Sequence, residues 1–428
     1  MRIARRKFLA ATAAGGLALA APAVLGAEKN KKYRTAVIGS GWWGMVNLKA
    51  SMENGNCLPV ALCDVDQKAL QAAADEVKKL TGTAPKLYKD YRELLEKEKP
   101  DVSIVATPDH WHALPTIAAV QAGSHVLVEK PICHTIYEGR AMLKTARECK
   151  RVVQVGTHRR CGKHYNSAMR FLKEGKAGRI GMVRAFCGFG GPIDGDAPDE
   201  PPPAGLDWDF WCGPAPMRHY NRQLHPKGFR FFLDYGNGQL GDWGHHFFDL
   251  ILWWTEERYP KRVYSTGGKF IVRDRTDAPD TQIVTYDFDK FRVTWEHRNY
   301  AGSMTEKHPF GIYFYGTAGI LHLGIIDGWT FYPQSKDAAP IHQPTDRGDN
   351  IRELWADLVR AIETGARPVS DIENGCLASN MCLLGMLSMK LGRSVDWDGR
   401  KQVIPGDAAA NKLLRREYRA PWKYPEHT

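Results

Sequence analysis

The chain has 428 residues, too many for one ordinary hydrophobic core, so two domains are expected. Hydrophobic residues make up 43% and charged residues 25%, the balance of a globular protein rather than a disordered one. The formal net charge of +11 is spread along the chain instead of massed in one basic run, so no nucleic-acid partner is expected.

In chain order, the first feature is ARRKFLAATAAGGLALAAPAVLGA, residues 4–27. It is charged at the front, apolar in the middle and small-residued at the end, the layout of an export signal. The run is short and alanine-rich for a membrane span, so no stable membrane anchor is expected. Arg5 and Arg6, followed by Phe8 and Leu9, resemble a twin-arginine signal. Residues 1–27 are therefore read as a signal cleaved near Gly26 or Ala27, with a periplasmic or exported protein following. That route moves proteins already folded, so a cofactor can be loaded before export. The nine cysteines contain no C-x-x-C pair and read as free, small core residues, consistent with assembly in a reducing cytoplasm.

Residues 28–156 read as a doubly wound α/β domain. RTAVIG, LPVALCDVD, DVSIVATP, HVLVEKP and RVVQVGTH are continuous apolar strands, separated by helical stretches such as Gln67–Leu80 and Pro115–Ala122. Gly39, Gly41 and Gly44 form G-x-G-x-x-G directly after the first strand and at the start of a helix. In that context the first glycine permits the turn, the second admits a pyrophosphate to the backbone, and the third packs helix on sheet. Asp64, at the end of the second strand, stands where a ribose-binding acid belongs; it would repel a 2′-phosphate, so NAD is expected over NADP. Trp42 and Trp43 either pack against the second domain or line the cofactor cleft. TPDHWH, residues 107–112, ends the third strand at the edge where this fold binds ligands, so Thr107, Pro108, Asp109 and His112 are expected to contact the cofactor. His110 and His112 read more readily as helix-start packing than as catalytic or metal-bound groups. EKP, residues 129–131, ends the fourth strand at the same edge; Glu129 joins the cofactor set. Lys130, partly desolvated beside the cofactor, is suited to general acid–base work.

After Gly156 the pattern changes. A helix near Tyr165–Lys173 leads to GMVRAFCGF, then to a loop rich in Pro, Gly and Asp. KRVYSTGGKF, TQIVTYDF, FRVTWEHR, GIYFYGT and GILHLG predict a large, mainly antiparallel sheet, and helices are expected at Asn350–Thr364 and Glu373–Leu391. Residues 157–394 are read as an α+β substrate and oligomerisation domain, with 395–428 as a tail packed on the domains. GNGQLGDWGHHFFDLILWW, residues 236–254, predicts a glycine turn entering an apolar helix. Asp242 and His246 are four apart and so share a helix face, with Asp249 near it. A carboxylate there would orient the imidazole and raise its proton affinity, which suits a proton relay. Spacing alone does not exclude Asp242, His246 and Asp249 as metal ligands, but no metal is expected. THRRCGKHY, residues 157–165, and the stretch near Arg230 offer substrate contacts: His158, Arg159, Arg160, Tyr165, Arg230 and Asp234, with Asp249.

The order GSGWWG, Asp64, TPDHWH, EKP, Asp242-x-x-x-His246-x-x-Asp249 resembles the Gfo/Idh/MocA oxidoreductase family over nearly all of the chain after the signal. The closing stretch, from Gly392 to Trp422, resembles its bacterial secreted branch. The resemblance implies a Rossmann domain, an α/β domain with an open sheet used for oligomerisation, and Lys130 as the EKP lysine with Asp242 and His246 as acid–base partners. Two departures stand out. Asp109 occupies a place where many members carry Asn, and 190–235 aligns with no known specificity.

Three readings remain open. The first is an NAD-dependent oxidoreductase that takes hydride from a ring-hydroxyl carbon of a sugar or sugar derivative. In it Lys130 and His246 hold the hydroxyl proton, Asp242 fixes His246, and the cofactor is tightly held. The second uses the same parts for redox-neutral cleavage of a glycoside through a keto-sugar. The third is a non-catalytic sugar-binding scaffold. A homo-oligomer through the open sheet is expected in each.

Overall fold

Six segments of the first half pair side by side, all parallel, and five of them carry the apolar runs of strands covered on both faces. The computed structural model describes residues 31–426 apart from 256, 303–306, 347 and 349. The export signal read over residues 1–27 lies outside the described residues. The strands are β1 (Tyr33–Ile38), β2 (Cys57–Cys63), β3 (Lys86–Tyr88), β4 (Val102–Val105), β5 (His125–Val128) and β6 (Val153–Val155), in the order β3-β2-β1-β4-β5-β6. That order reverses direction between β1 and β4, the switch point where doubly wound folds bind ligands. The three-residue β3 carries no apolar run, and sequence reading passed over it. Val37, Leu62, Ile104 and Leu127 fill the sheet interior.

The second half builds a sheet of nine strands among the described residues. They are β7 (Ile180–Gly188), β9 (Arg262–Gly268), β11 (Thr281–Asp287), β12 (Arg292–Arg298), β13 (Phe310–Gly316), β14 (Gly319–Leu323), β15 (Trp329–Pro333), β16 (Ile341–Gln343) and β17 (Val395–Asp396). Two short strands, β8 (Asp194–Gly195) and β10 (Arg273–Asp274), pair separately. The large sheet runs β16-β15-β14-β13-β7-β12-β11-β9-β17 and is antiparallel except where β7 meets β12. Its strands alternate: Val284 and Tyr286, Val293 and Trp295, and Ile312 and Phe314 are buried, with their neighbours more exposed. The helices His245–Trp254 and Ile372–Leu391 cover the buried face; Phe247, Phe248, Met381 and Leu384 share its core.

The helix Ile351–Thr364 falls within the stretch read as the second domain. Its Leu354, Trp355, Leu358 and Val359 nevertheless join the core of Val37, Leu48 and Leu62. The tail is held by Arg416 Nε on Glu138 at 3.0 Å and by Trp422, whose ring meets Trp111 edge-on at 4.7 Å. All nine cysteines are free. Among the described residues no helix is long and apolar enough to cross a membrane.

Candidate active site

The glycine loop forms because side chains do not fit it. Gly39 has φ +90°, and a Cβ there would lie 2.7 Å from the Ala106 carbonyl. A Cβ on Gly44 would lie 2.0 Å from the Gly39 oxygen, so Gly44 sets how closely the helix Trp42–Met52 approaches the sheet rather than touching a ligand. A Cβ on Gly41 would meet nothing within 4 Å; it faces open space in a cleft of about 580 Å³. The helix begins there with no side-chain cap and no acid in its first turn, so its first N–H groups are left for an anion.

Around this cleft the cofactor candidates collect. Asp64 stands at the end of β2; one carboxylate oxygen accepts from the Asp66 N–H at 3.0 Å and the other from the Ser40 hydroxyl at 3.4 Å. Burial pushes its carboxyl up to about 6. Thr107 Oγ1 is buried and, among the described residues, without a partner, as a group poised for a ligand would be. Glu129 accepts from Asn47 at 2.8 Å and from the Lys130 N–H at 3.1 Å, tying the EKP turn to the glycine-loop helix. His112 lines the cleft, but its nitrogens lie 2.7 Å from the Pro131 and Thr107 carbonyls. It fixes the two loops rather than offering a polar atom to the cofactor. His110 is buried on the Trp211 carbonyl at 3.0 Å, and burial pushes its imidazole down to about 3. The uncapped helix start, the open face of Gly41, the free valence of Thr107 and the Asp64 carboxylate together fit a dinucleotide.

The second domain completes the cleft with Trp211, the segment 225–230, Asp242, Trp243 and His246. Lys227 places its ammonium 4.4 Å from the centre of the Trp42 ring. Gln67 and Asp207 donate backbone bonds to Gly205 and Val65, 3.0 Å each, and pin the second domain beside Asp64. Trp211 falls in the segment between Trp208 and Tyr220, where sequence reading looks for the grip on the cofactor; that reading missed the 225–230 segment except for Arg230, because no motif marks it.

The expected Asp242–His246 pair does not form. Leu240–Gly244 is a π-turn, and the Asp242 carboxylate within it makes no hydrogen bond to His246 among the described residues. Asp242 instead pairs with the Lys130 ammonium, which also bonds its carbonyl at 3.2 Å, and it lies 3.6 Å from Arg230 Nε. Burial raises the Asp242 carboxyl, but Lys130 and Arg230 overcome that and hold it below its ordinary value. His246 Nδ1 is buried and, among the described residues, unpartnered; its ring meets His158 edge-on at 5.8 Å. Burial first, then Arg159 and Lys130, push the His246 imidazole well below its ordinary value, the opposite of the raised proton affinity expected from the sequence. Asp109 is 4% exposed in the same cleft; burial pushes it up to about 7 against the pull of Arg230 and Lys130.

Four expected substrate residues fall elsewhere. Arg160 and Asp249 form a buried pair, with both Asp249 oxygens on Arg160 Nε at 2.9 and 2.8 Å. Each satisfies the other, so neither reaches the cleft. Tyr165 is 2% exposed with its ring 3.8 Å from His164, and Asp234 pairs with Arg218 at 2.7 Å. His158, Arg159 and Arg230 do line the cleft; Arg159 lies over Trp243 at 5.6 Å with its Nη1 buried and unpartnered among the described residues.

A doubly wound domain whose cleft is completed by a second α/β domain defines a two-domain, dinucleotide-binding architecture. Two family models match the chain in succession: the oxidoreductase family, NAD-binding Rossmann fold, over residues 33–157, and the C-terminal alpha/beta domain of the same family over 194–264. Both models are of the Gfo/Idh/MocA oxidoreductase family, and the chain's N-terminal domain matches its NAD-binding Rossmann domain. It is 37% identical over 147 residues to a "Glycosyl hydrolase family 109 protein" of Stenotrophomonas maltophilia, a stretch covering 33% of this chain and 32% of that protein. The chain thus spans about a third of the length of the curated relatives it matches. Among solved structures it resembles a levoglucosan dehydrogenase in complex with NADH and levoglucosan, with TM-score 0.67 and 19% identity over 86% of this chain and 99% of that one. It also resembles the WlbA dehydrogenase of Bordetella pertussis in complex with NADH and UDP-GlcNAcA, with TM-score 0.65 and 17% identity over 86% and 99%. At these identities the structures establish the fold alone.

Proposed function

We propose that the protein is an NAD-dependent oxidoreductase acting on a ring hydroxyl of a sugar or sugar derivative, with the cofactor tightly held. The observation that carries this reading is the Lys130–Asp242 ion pair at the floor of the cleft, an amine from the Rossmann domain held by a carboxylate from the second. NAD bound there supplies a hydride acceptor and returns hydride when the reaction runs in reverse. Lys130, held in place by Asp242, takes the hydroxyl proton as a neutral amine, once its ammonium has released a proton to solvent. His246, kept neutral by burial, presents an unprotonated ring nitrogen and orients the same hydroxyl. Arg159, His158 and Arg230 supply donors to the remaining sugar oxygens. Homo-oligomerisation through the large sheet and export through the Arg5–Arg6 signal belong to this reading.

A second reading is favoured by one finding: the curated relatives matched over about a third of the chain include proteins of glycosyl hydrolase family 109. Oxidation of a ring hydroxyl acidifies the neighbouring C–H, so the same residues can promote elimination of a glycosidic group; water then adds to the enone and hydride returns to the ketone, with no net change in NAD. One experiment tests both. Purified protein is offered free sugars and aryl glycosides, with nicotinamide absorbance and released aglycone followed together. Stoichiometric reduction with free sugar supports the first reading; catalytic aglycone release without net reduction supports the second. Neither signal with any substrate would leave the scaffold reading in place.

A further inference from the structure

Among the described residues, 414–424 belong to neither sheet and none lines the nucleotide cleft. They nevertheless bond to both domains where the two meet over that cleft. The Leu414 carbonyl accepts from the Tyr137 N–H at 3.1 Å, and the Tyr418 hydroxyl donates to Glu138 at 2.7 Å. Tyr137 and Glu138 belong to the helix Ile136–Glu148, which follows the EKP turn. Arg416 donates from Nη2 to the His110 carbonyl at 2.8 Å and from Nη1 to the Asp234 carbonyl at 3.2 Å. With its Nε on Glu138, one guanidinium joins the loop of Asp109, the helix behind Lys130 and the second-domain segment that follows Arg230.

Arg419 grips the wall opposite. Its N–H donates to the Pro214 carbonyl at 3.0 Å and its Nε to the Gly213 carbonyl at 3.1 Å. Its Nη1 and Nη2 reach the Asp209 carboxylate and carbonyl, 2.7 Å each. These acceptors lie in and just after the short helix Trp208–Cys212, whose Phe210 and Trp211 line the cleft. Trp422 stands behind the lining. Its ring is 4.7 Å from Trp111, on the Rossmann side, and 5.3 Å from Phe210, on the other. Gly213, at φ +52°, seats that second wall against Trp111, where a Cβ would lie 2.1 Å from the ring. Parting Phe210 from Trp111 therefore strips Trp422 of a ring or pulls Arg419 off its carbonyls.

We propose that residues 414–424 are a clasp that sets how fast the nucleotide enters and leaves. Arg419 and Trp422 are positioning residues that act on it through Phe210, Trp211 and Trp111. The proposal rests on the tight hold on the cofactor and assigns part of that hold to a segment outside the cleft. A ligand enclosed between two domains leaves only as fast as the wall between them opens. Entry and release use the same opening, so loosening the clasp raises both rates and moves Kd far less than either.

The test loads full-length protein with NADH, mixes it with excess NAD and follows the fluorescence of bound NADH; entry is timed separately by mixing NADH with nucleotide-free protein. Parent, Arg419→Ala, Trp422→Ala and Trp422→Phe are compared well below the melting temperature of each. Asp209 is 66% exposed at its side chain, so Arg419→Ala leaves no buried charge behind. Trp422→Ala should speed release about two- to tenfold, the worth of a lost ring contact. Arg419→Ala should speed it about tenfold, as expected for charge-assisted bonds. Entry should quicken alongside, and Trp422→Phe should stay near the parent. If Arg419→Ala does not fold, the Trp422 pair decides alone. Parental release rates with only a lowered melting temperature would make the tail structural and overturn the clasp. Faster release with unchanged entry, and so a proportionately weaker Kd, would overturn it too. The parent's own release rate judges the held cofactor and the ratio of variant to parent judges the clasp, so either can fail alone.

Discussion

The Lys130 ammonium and the Asp242 carboxylate are bound to each other across the two domains, with side chains 13% and 17% exposed. One partner ends β5 of the Rossmann sheet and the other lies in the π-turn that opens the helix His245–Trp254. This contact closes the cleft at the point where chemistry is proposed. Lys130→Ala should therefore leave NAD bound while lowering kcat by about 10²–10⁴, the usual contribution of a positioned acid–base group. Nucleotide retention after gel filtration, measured beside turnover, checks it; turnover at the parental rate removes Lys130 from the mechanism.

Asp64 sets the pH dependence of cofactor binding. Its carboxyl is raised from 3.8 to about 6, chiefly by burial, and the ribose needs it as an acceptor. Above that value it is ionised; as pH falls through it, the proton removes an acceptor. NAD affinity should weaken by up to about tenfold per unit below pH 6. Calorimetry across the range reads this directly, and Asp64→Ser should abolish the pH dependence and narrow the preference for NAD over NADP. A flat profile in the parent would assign ribose recognition to another group.

Asp109 faces Lys130, Arg230 and Asp242 and is raised to about 7, first by burial. Above that pH it becomes a second carboxylate competing with Asp242 for the same cations. The pH profile of kcat/KM should show an inflection near 7 that Asp109→Asn removes. The same inflection in the variant would assign it to a different group.

Arg160 and Asp249 were expected in the substrate pocket and lie buried against each other, 8% and 1% exposed. Removing one partner leaves the other charge buried, so Asp249→Ala should cost about 3–5 kcal/mol in urea unfolding. A double replacement by apolar residues should cost less. A loss below about 1 kcal/mol would show that water reaches the pair.

Lys227 over Trp42 spans the mouth of the nucleotide cleft. If export follows folding, as proposed, NAD has to stay bound, and prolonged dialysis of the purified protein should leave about one nucleotide per chain. Lys227→Ala should speed NAD release about two- to fivefold, the worth of an exposed cation–π contact. Free exchange in the parent would sink the held-cofactor proposal.

The Rossmann half was legible in the sequence because its signals are local. Gly39, Gly41 and Gly44 are spaced by the turn they make, Asp64 by the length of β2, and apolar runs mark parallel strands wherever the chain places them. The same locality revealed the helices Gln67–Thr81 and Lys163–Lys173 to within a residue or two. What side chains face was decided by packing between distant segments. A four-residue count joined Asp242 to His246, but the folded chain pairs Asp242 with Lys130, 112 residues away. Arg159 and Arg160 are neighbours in THRRC; the first reaches the cleft and the second is consumed by Asp249. The segment 225–230 carries no motif, since covering a ligand asks only for shape and position. Periodicity and turn chemistry are written residue by residue along the chain. The partner of a buried charge is set by which other charge the folded core brings within reach, and that only the tertiary structure decides.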